Sequence, residues 1–446
     1  MKKIGILFGL FVVLLAFVYF YEIEGAEERD QRRELAESLL RLTQDEITSF
    51  DLQRPGQPLL RIVREAEGWH IQEPVASQVD QFVVDAFLRD MAAARRERAL
   101  EDVDDQLGEF GLLQPRLVVT LRAGAEQTET LYVGNDDFSG DRLYSQLEGE
   151  TQVLMTTKSV FSSADKELRE WRSKSVLDFD QDSISQIEIE QGSQRIRLEK
   201  QASDWLLIQP LEDRASESEV SSLLSAIKYA RVDDFVDDPE PLPAYGLDSA
   251  EYRFRVRETT DHEWRVLEVG MQKPEQETYF ARDPSRPLVF TIRKAVVDKL
   301  SLAASEYRDL RVIDLKQDGF DLLSYRHGDT SFKLIRQGAT FSLLEPPEKA
   351  GQAVPAYKFW YPLQDLSFQT MTDRPSAEND PRFSEPLITL EFRIGDEIRL
   401  FEFAEQGDQV WARQSNNGRG GTIARAEFEK IFFTPDSILD PATGQK

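Results

Sequence analysis

The chain has 446 residues, with 54 Lys and Arg against 81 Asp and Glu, a formal net charge of −27. A field of that sign repels phosphate backbones and anionic headgroups, so nucleic acid is excluded as a partner and the body is not expected to lie flat on a membrane. There is no cysteine, and His70, His262 and His327 are the only histidines, which excludes disulfides and thiolate chemistry and leaves little material for zinc or hydrolytic sites.

Lys2 and Lys3 precede an unbroken apolar run, Ile4 to Tyr21. As a helix it would rise ~27 Å, close to the ~30 Å hydrocarbon core of a bilayer. Tyr19 and Tyr21 fall where an interfacial aromatic belt would sit, and Glu22, Glu24, Glu27 and Glu28 follow. The positive-inside rule then keeps the N-terminus in the cytoplasm and exports the rest. A cleaved signal peptide is the rival reading. Its apolar region would be shorter, ~7–15 residues, and the small residues Gly25 and Ala26 stand in the wrong place for a good cleavage site. The expectation is an uncleaved anchor over 1–22, in a bacterial inner membrane, with the bulk of the chain periplasmic. Residues 23–42 follow as a charged segment, with Leu35, Leu39 and Leu42 at helical spacing. It reads as a helical stalk, either a spacer or a contact with a membrane partner.

One element is then written three times. Trp69 opens Trp-His-Ile-Gln-Glu-Pro, Trp205 opens Trp-Leu-Leu-Ile-Gln-Pro, and Phe341 opens Phe-Ser-Leu-Leu-Glu-Pro, each 136 residues after the last. Phe110-Gly111-Leu112 recurs as Tyr245-Gly246-Leu247 after 135, and Val133-Gly134 as Val269-Gly270 after 136. Tyr144 is matched with Tyr279. Trp171-Arg172 and Val176-Leu177-Asp178 recur as Tyr307-Arg308 and Val312-Ile313-Asp314. A period this long predicts domain-sized modules rather than solenoid units of ~20–50 residues. The modules are placed at 43–178, 179–314 and 315–446, the last divergent and without the Gly-Leu marker.

Within module 1, alternation predicts strands near Ile47–Leu52, Leu59–Arg64, Trp69–Gln72, Arg116–Leu121, Thr130–Val133, Leu143–Leu147 and Gln152–Thr156. Between them Val79, Phe82, Val83, Ala86, Phe87 and Met91 predict an amphipathic helix. Module 2 repeats it with Val220, Leu223, Leu224 and Ile227, opened by a Ser216–Glu219 capping box. A second amphipathic helix closes the module near Trp171. The fold class is α+β, with mainly antiparallel sheets.

These markers resemble the bacterial family known as domain of unknown function 4340 (DUF4340). The shared features are the Trp-x-[Ile/Leu]-x-x-Pro element, the [Phe/Tyr]-Gly-Leu and Val-Gly turns, and the [Trp/Tyr]-Arg close. The resemblance covers modules 1 and 2 well and module 3 weakly. It implies a single-anchor extracytoplasmic protein, often encoded beside a gliding-motility-type ABC exporter, with that transporter's membrane and auxiliary subunits as partners. It carries over no catalytic residue.

Candidate chemistry is sparse. His70 is replaced by Leu206 and Ser342 in the other copies, and no histidine pair has metal-ligand spacing, so all three histidines read as structural or surface residues. Asn135, Asp137, Ser139 and Gly140 mimic half an EF-hand loop, but Gln146 stands where a bidentate Glu is needed, so they read as a hairpin. Asp233, Asp234, Asp237 and Asp238, and Asp102, Asp104 and Asp105 before them, read as solvated loops; weak cation binding or a basic partner is the alternative. Gly418-Arg419-Gly420-Gly421 reads as a flexible hairpin, not a phosphate cradle. No nucleotide motif is present, so no cofactor and no catalysis are expected. Tyr357, Phe359, Trp360 and Tyr361 crowd into module 3. They are either a packed helix face or a partner contact. The sequence-level expectation is a non-catalytic accessory protein of an ABC-type transport or gliding-motility-like complex. The alternatives are a periplasmic scaffold for a polymer or secreted protein, and an enzyme of unrecognised type.

Overall fold

In the computed structural model, the described residues are 37–440 without 102, 104–105, 125–126, 260–262, 339 and 374–379. The anchor expected over 1–22, most of the 23–42 stalk, His262 and the Asp102–Asp105 loop acids lie outside them. Among the described residues no helix is long and apolar enough to cross a membrane.

The fold is α+β and mostly β, and it repeats. Repeat 1 contributes β1 (Ser49–Gln53), β2 (Leu60–Glu65), β3 (Gly68–Glu73), β4 (Ser77–Gln78), β5 (Arg98–Leu100), β6 (Leu117–Ala123), β7 (Gln127–Asp136), β8 (Arg142–Leu147) and β9 (Val153–Thr157). They form one sheet in the order β4-β3-β2-β1-β6-β7-β8-β9-β5. Two antiparallel meanders thus meet where β1 pairs with β6. Strands from Ile184 to Arg293 form a second nine-stranded sheet, and strands from Leu322 to Ile423 a third, both in the same order. The chain crosses from the β4 edge to the far edge through the helix Gln81–Ala93, with Glu217–Lys228 and Ala356–Gln364 at the same point in the later repeats.

By contact density the chain falls into two compact units. One is Met1–Ile184, Ile189–Gln194 and Leu224–Ser301; the other is Ser185–Glu188, Arg195–Leu223 and Leu302–Lys446.

Each core is built on the same residues. Trp69, Trp205 and Phe341 are all buried, each as the second residue of its strand. In repeat 1 the ring of Phe50 lies 5.7 Å from Trp69, 4.6 Å from Phe87 and 5.8 Å from Trp171. An irregularity in the pairing of that strand with the one before it also repeats. The register shifts at Arg61/Ile62, Arg197/Leu198 and Lys333/Leu334, one period apart. The proline that ends each of these strands follows a cis peptide bond, at 73–74, 209–210 and 345–346.

Several expectations shift. Helix Gln81–Ala93 buries Val84, Phe87, Leu88 and Met91, and Phe82 is 87% exposed. Val79 precedes the helix, whose N-cap is Asp80, so the apolar stripe is set one step later than its spacing suggested. The two-residue strand β4 and the three-residue β5 are too short to leave alternation in the sequence. Residues 38–42 are not helical. Ser38 bridges to Arg95, and Leu39, Leu40 and Leu42 enter the first core. Three leucines within four residues suit a strap packed on one side by tertiary contact, which overrides helical spacing.

The two glycine turns prove to be one device. In repeat 1 the Asn135 N–H donates to the Phe110 carbonyl at 2.8 Å, and a Cβ on Gly134 would lie 2.1 Å from that carbonyl. In repeat 2 a Cβ on Gly270 would meet the Tyr245 carbonyl at the same 2.1 Å. Gly111 and Gly246 turn at φ +73° and +66°, a region closed to most L side chains. The register shifts at Val133/Asp136 and Val269/Gln272 make room for this contact. Repeat 3 has lost the turn, and its strand Glu397–Gln406 pairs with Gln409–Gln414 without a shift. The aromatic that closes the device is Tyr144 on Phe110 and Phe280, not Tyr279, on Tyr245, at 4.6 and 4.8 Å.

Candidate functional site

The features that recur with most chemical content lie where one repeat meets the next. The joint of repeats 1 and 2 lies within the first unit and the joint of repeats 2 and 3 within the second. Each begins with the [Trp/Tyr]-Arg close. Asp80 N–H donates to the Trp171 carbonyl at 2.7 Å, and Ser216 N–H to the Tyr307 carbonyl at 2.8 Å. The closing segment thereby ties down the start of its own repeat's helix. Its arginine then reaches forward. Arg172, 1% exposed, pairs with Asp237 and lies over the Phe235 ring. Arg308, 6% exposed, faces Asp373 at 3.6 Å. Asp237 and Asp373 are again 136 apart. Asp237 is therefore a joint residue rather than only a solvated acid, and Asp233 holds Arg293 at 3.2 Å.

The linker after each arginine docks as an isolated bridge on the next repeat, Ser175 on Arg231 and Arg311 on Ser367. Val232 N–H donates to the Lys174 carbonyl at 2.8 Å and Phe368 N–H to the Leu310 carbonyl at 2.7 Å. An arginine from a hairpin of the following repeat clamps the linker. Arg286 donates to the carbonyls of Ser175, at 3.0 Å, and of Val176; Arg419 donates to that of Asp309. Arg419, in the expected hairpin at the start of the strand Arg419–Ile423, is therefore also a joint residue. Gly421 in that strand packs so closely that a Cβ would meet the Thr370 carbonyl at 1.9 Å.

Between these contacts a cleft opens at each joint. The first, ≈ 300 Å³, has His70, Ser77 and Gln78 on one wall and Ser285, Arg286 and Leu288 on the other. The second, ≈ 360 Å³, has Leu206, Asp213 and Arg214 on one wall and Asn417 and Arg419 on the other. Residues 70, 77 and 78 stand one period before 206, 213 and 214, so the two clefts are copies of one place in the fold. Their chemistry is not copied. The first mixes apolar wall with a histidine. The second is closed by buried charge: Asp213 meets Arg308 at 2.6 Å and Arg419 at 2.7 Å, and Arg214 faces Asp204, Asp309 and Asp314 at 3.6–3.7 Å. Burial pushes the Asp309 carboxyl up, but hydrogen bonds from Arg311 outweigh it and hold it below its ordinary value.

The remaining candidates scatter. His327 packs at 4.5 Å on the tilted ring of Phe432 and lines neither cleft. In the EF-hand-like loop Asp137 accepts from Arg142 N–H at 3.0 Å and from Ser139, which ties the hairpin to itself. The aromatic run divides. Phe359 and Trp360 are core residues packed on Phe341 and Phe320, while Tyr357 and Tyr361 are 54% and 52% exposed on the other face of the same helix. The joints were missed in the sequence because their two sides lie far apart along the chain. The 136-residue recurrence of Asp237 and Asp373 was the available signal.

The sequence matches the profile of a family described as a domain of unknown function, DUF4340, over residues 69–250 and again over 205–386. The two matches are offset by the repeat period. Each starts on the core tryptophan and runs past the arginine and aspartate of the next joint, ending short of Arg286 in the first match and of Arg419 in the second. Comparison with curated proteins and with solved structures gives no match.

Proposed function

Since this chain belongs to the DUF4340 family, whose profile spans the arginine and aspartate of a joint in each match, we propose that it works by binding, as a non-catalytic, single-pass, periplasm-facing accessory protein of an ABC-type transport or gliding-motility-like complex. The observation that carries a binding role is the contrast at the joints. Their framework recurs, but the groups facing the clefts change from His70 to Leu206, from Ser77 to Asp213 and from Gln78 to Arg214. A shared reaction would need a shared reactive group; a scaffold needs only the framework. The Ile4–Tyr21 run supports the anchor. Affinity purification from detergent-solubilised membranes, with mass spectrometry, tests the complex. ABC transporter membrane and auxiliary subunits should co-purify in fixed ratio. A polymer or secreted protein recovered without them would select the scaffold reading, which the two clefts also favour. Loss of function in a folded, membrane-bound His70→Ala or His327→Ala variant would instead point to an enzyme.

A further inference from the structure

The segment ahead of repeat 1 docks as the inter-repeat linkers do. Ser38 bridges to Arg95 as Ser175 does to Arg231 and Arg311 to Ser367; positions 95, 231 and 367 are one period apart. Arg96 N–H donates to the Glu37 carbonyl at 2.8 Å, as Val232 and Phe368 do to Lys174 and Leu310. Leu39 and Leu40 take the places of Val176-Leu177 and Val312-Ile313, and all six are buried. Repeat 1 is therefore dressed to receive a preceding repeat. The acceptor carboxylate is also there. β5 pairs Leu100 with Val153 as the strand Asp234–Val236 pairs Val236 with Val289. Glu101 thus occupies the place of Asp237 and Asp373, which receive Arg172 and Arg308. Glu101 is exposed and accepts only from the Gln152 amide, at 3.1 Å, among the described residues. The hairpin that elsewhere meets the preceding repeat here borders an open hollow of ≈ 320 Å³, lined by Glu129, Glu148, Glu150 and the strap's Arg41, whose backbone N–H donates to Glu129 at 3.0 Å. Glu150, in the place of Arg286, is held by Arg96 at 3.0 Å.

We propose that this face of repeat 1 is a third joint, completed by a partner protein that presents an arginine, the group with which Arg172 and Arg308 reach into the other two. The partner's arginine pairs with Glu101, and the carboxylates of Glu129 and Glu148 in the hollow of the same repeat favour a basic segment. The proposal deepens the binding role and rests on it. Its test uses purified protein, so its failure leaves a positive co-purification standing, and failure of the co-purification leaves a positive binding assay standing.

The probe is a synthetic peptide of residues 166–174, carrying Trp171 and Arg172, titrated into the full chain in detergent and followed by fluorescence polarisation. Saturable binding is expected, weakened about tenfold or more by Arg172→Ala in the peptide or by Glu101→Arg in the protein, the scale of one lost charge pair. Glu148→Arg should weaken it in the same direction. Glu101 is exposed, so an unchanged circular dichroism melt is expected for its variant. Absence of binding overturns the proposal, as does binding indifferent to Glu101→Arg. Binding that emerges only after Arg29, Arg32 and Arg33 are changed to Ala also overturns it, since that assigns the face to the chain's own upstream segment.

Discussion

At the scale of single residues, the repeat is enforced by a few positions with no latitude. Trp205 fills a site that Trp69 and Phe341 fill in the other copies. Trp205→Ala should cost ~3–5 kcal/mol, the cost of a large aromatic removed from a core, measured by chemical denaturation. A loss under ~1 kcal/mol would mean an exposed site. Gly270→Ala should cost ~1–3 kcal/mol, because its methyl must displace the Tyr245 backbone. Tyr357 and Tyr361 allow a cleaner experiment than the whole aromatic run. Replacing all four with Ser would gut the third core through Phe359 and Trp360. Changing only the two tyrosines to Ser should leave the melting temperature within about 2–4 °C, the effect of ~1 kcal/mol in a large domain, so any fall in partner recovery would report a contact.

At the scale of elements, the strands with long alternation and the helix positions were legible. Val220, Leu223, Leu224 and Ile227 are all buried as their spacing required, and Ser216 Oγ accepts from Glu219 N–H at 3.3 Å as a cap should. What was not legible depends on tertiary partners. The Leu39–Leu42 strap reads as helix by spacing and is not helical because the Ala94 carbonyl holds Leu39 and the Glu129 carboxylate holds Arg41 and Leu42. Phe82 reads as core because periodicity gives a stripe but not where the helix begins. The clefts unite residues over 200 positions apart, which no local pattern carries. The arginine-paired aspartates also have a pH signature. Asp309, and Asp51 between Arg61 at 3.0 Å and Arg122 at 2.7 Å, are held below the ordinary carboxylate range by their arginines against the opposing effect of burial. A depressed folded-state pKa gives stability that is present above the unfolded value of about 4 and lost as pH falls through the folded one. The melting temperature should be nearly flat from neutrality to about pH 5 and fall below about pH 4. Asp309→Asn should lower the plateau and flatten the acid limb.

At the scale of the whole chain, the described residues form a strap and three copies of one sheet, and the apolar run Ile4 to Tyr21 ahead of them is expected to be an anchor. A reporter fused after Lys446 should be active only outside the cytoplasm, and the protein should resist carbonate extraction; a soluble, trimmed form would contradict the anchor. The way the joints are made has a further consequence. Arg172 pairs with Asp237, and Arg308 reaches past Asp213 to the Thr372 carbonyl at 3.1 Å, so each arginine has a partner in the next copy and no cut through the covalent linker yields a finished surface. A fragment ending at residue 178 keeps Arg172 and loses Asp237. The natural quantum of this protein is not a bead that can be clipped off but a phase: one period inserted into the chain adds one whole joint, wherever the inserted period starts. A gene with residues 179–314 written twice should therefore encode a longer protein that still melts cooperatively, whereas an insert of half that length should not fold. Lengthening by whole periods is the one change of size this architecture tolerates without inventing a new surface.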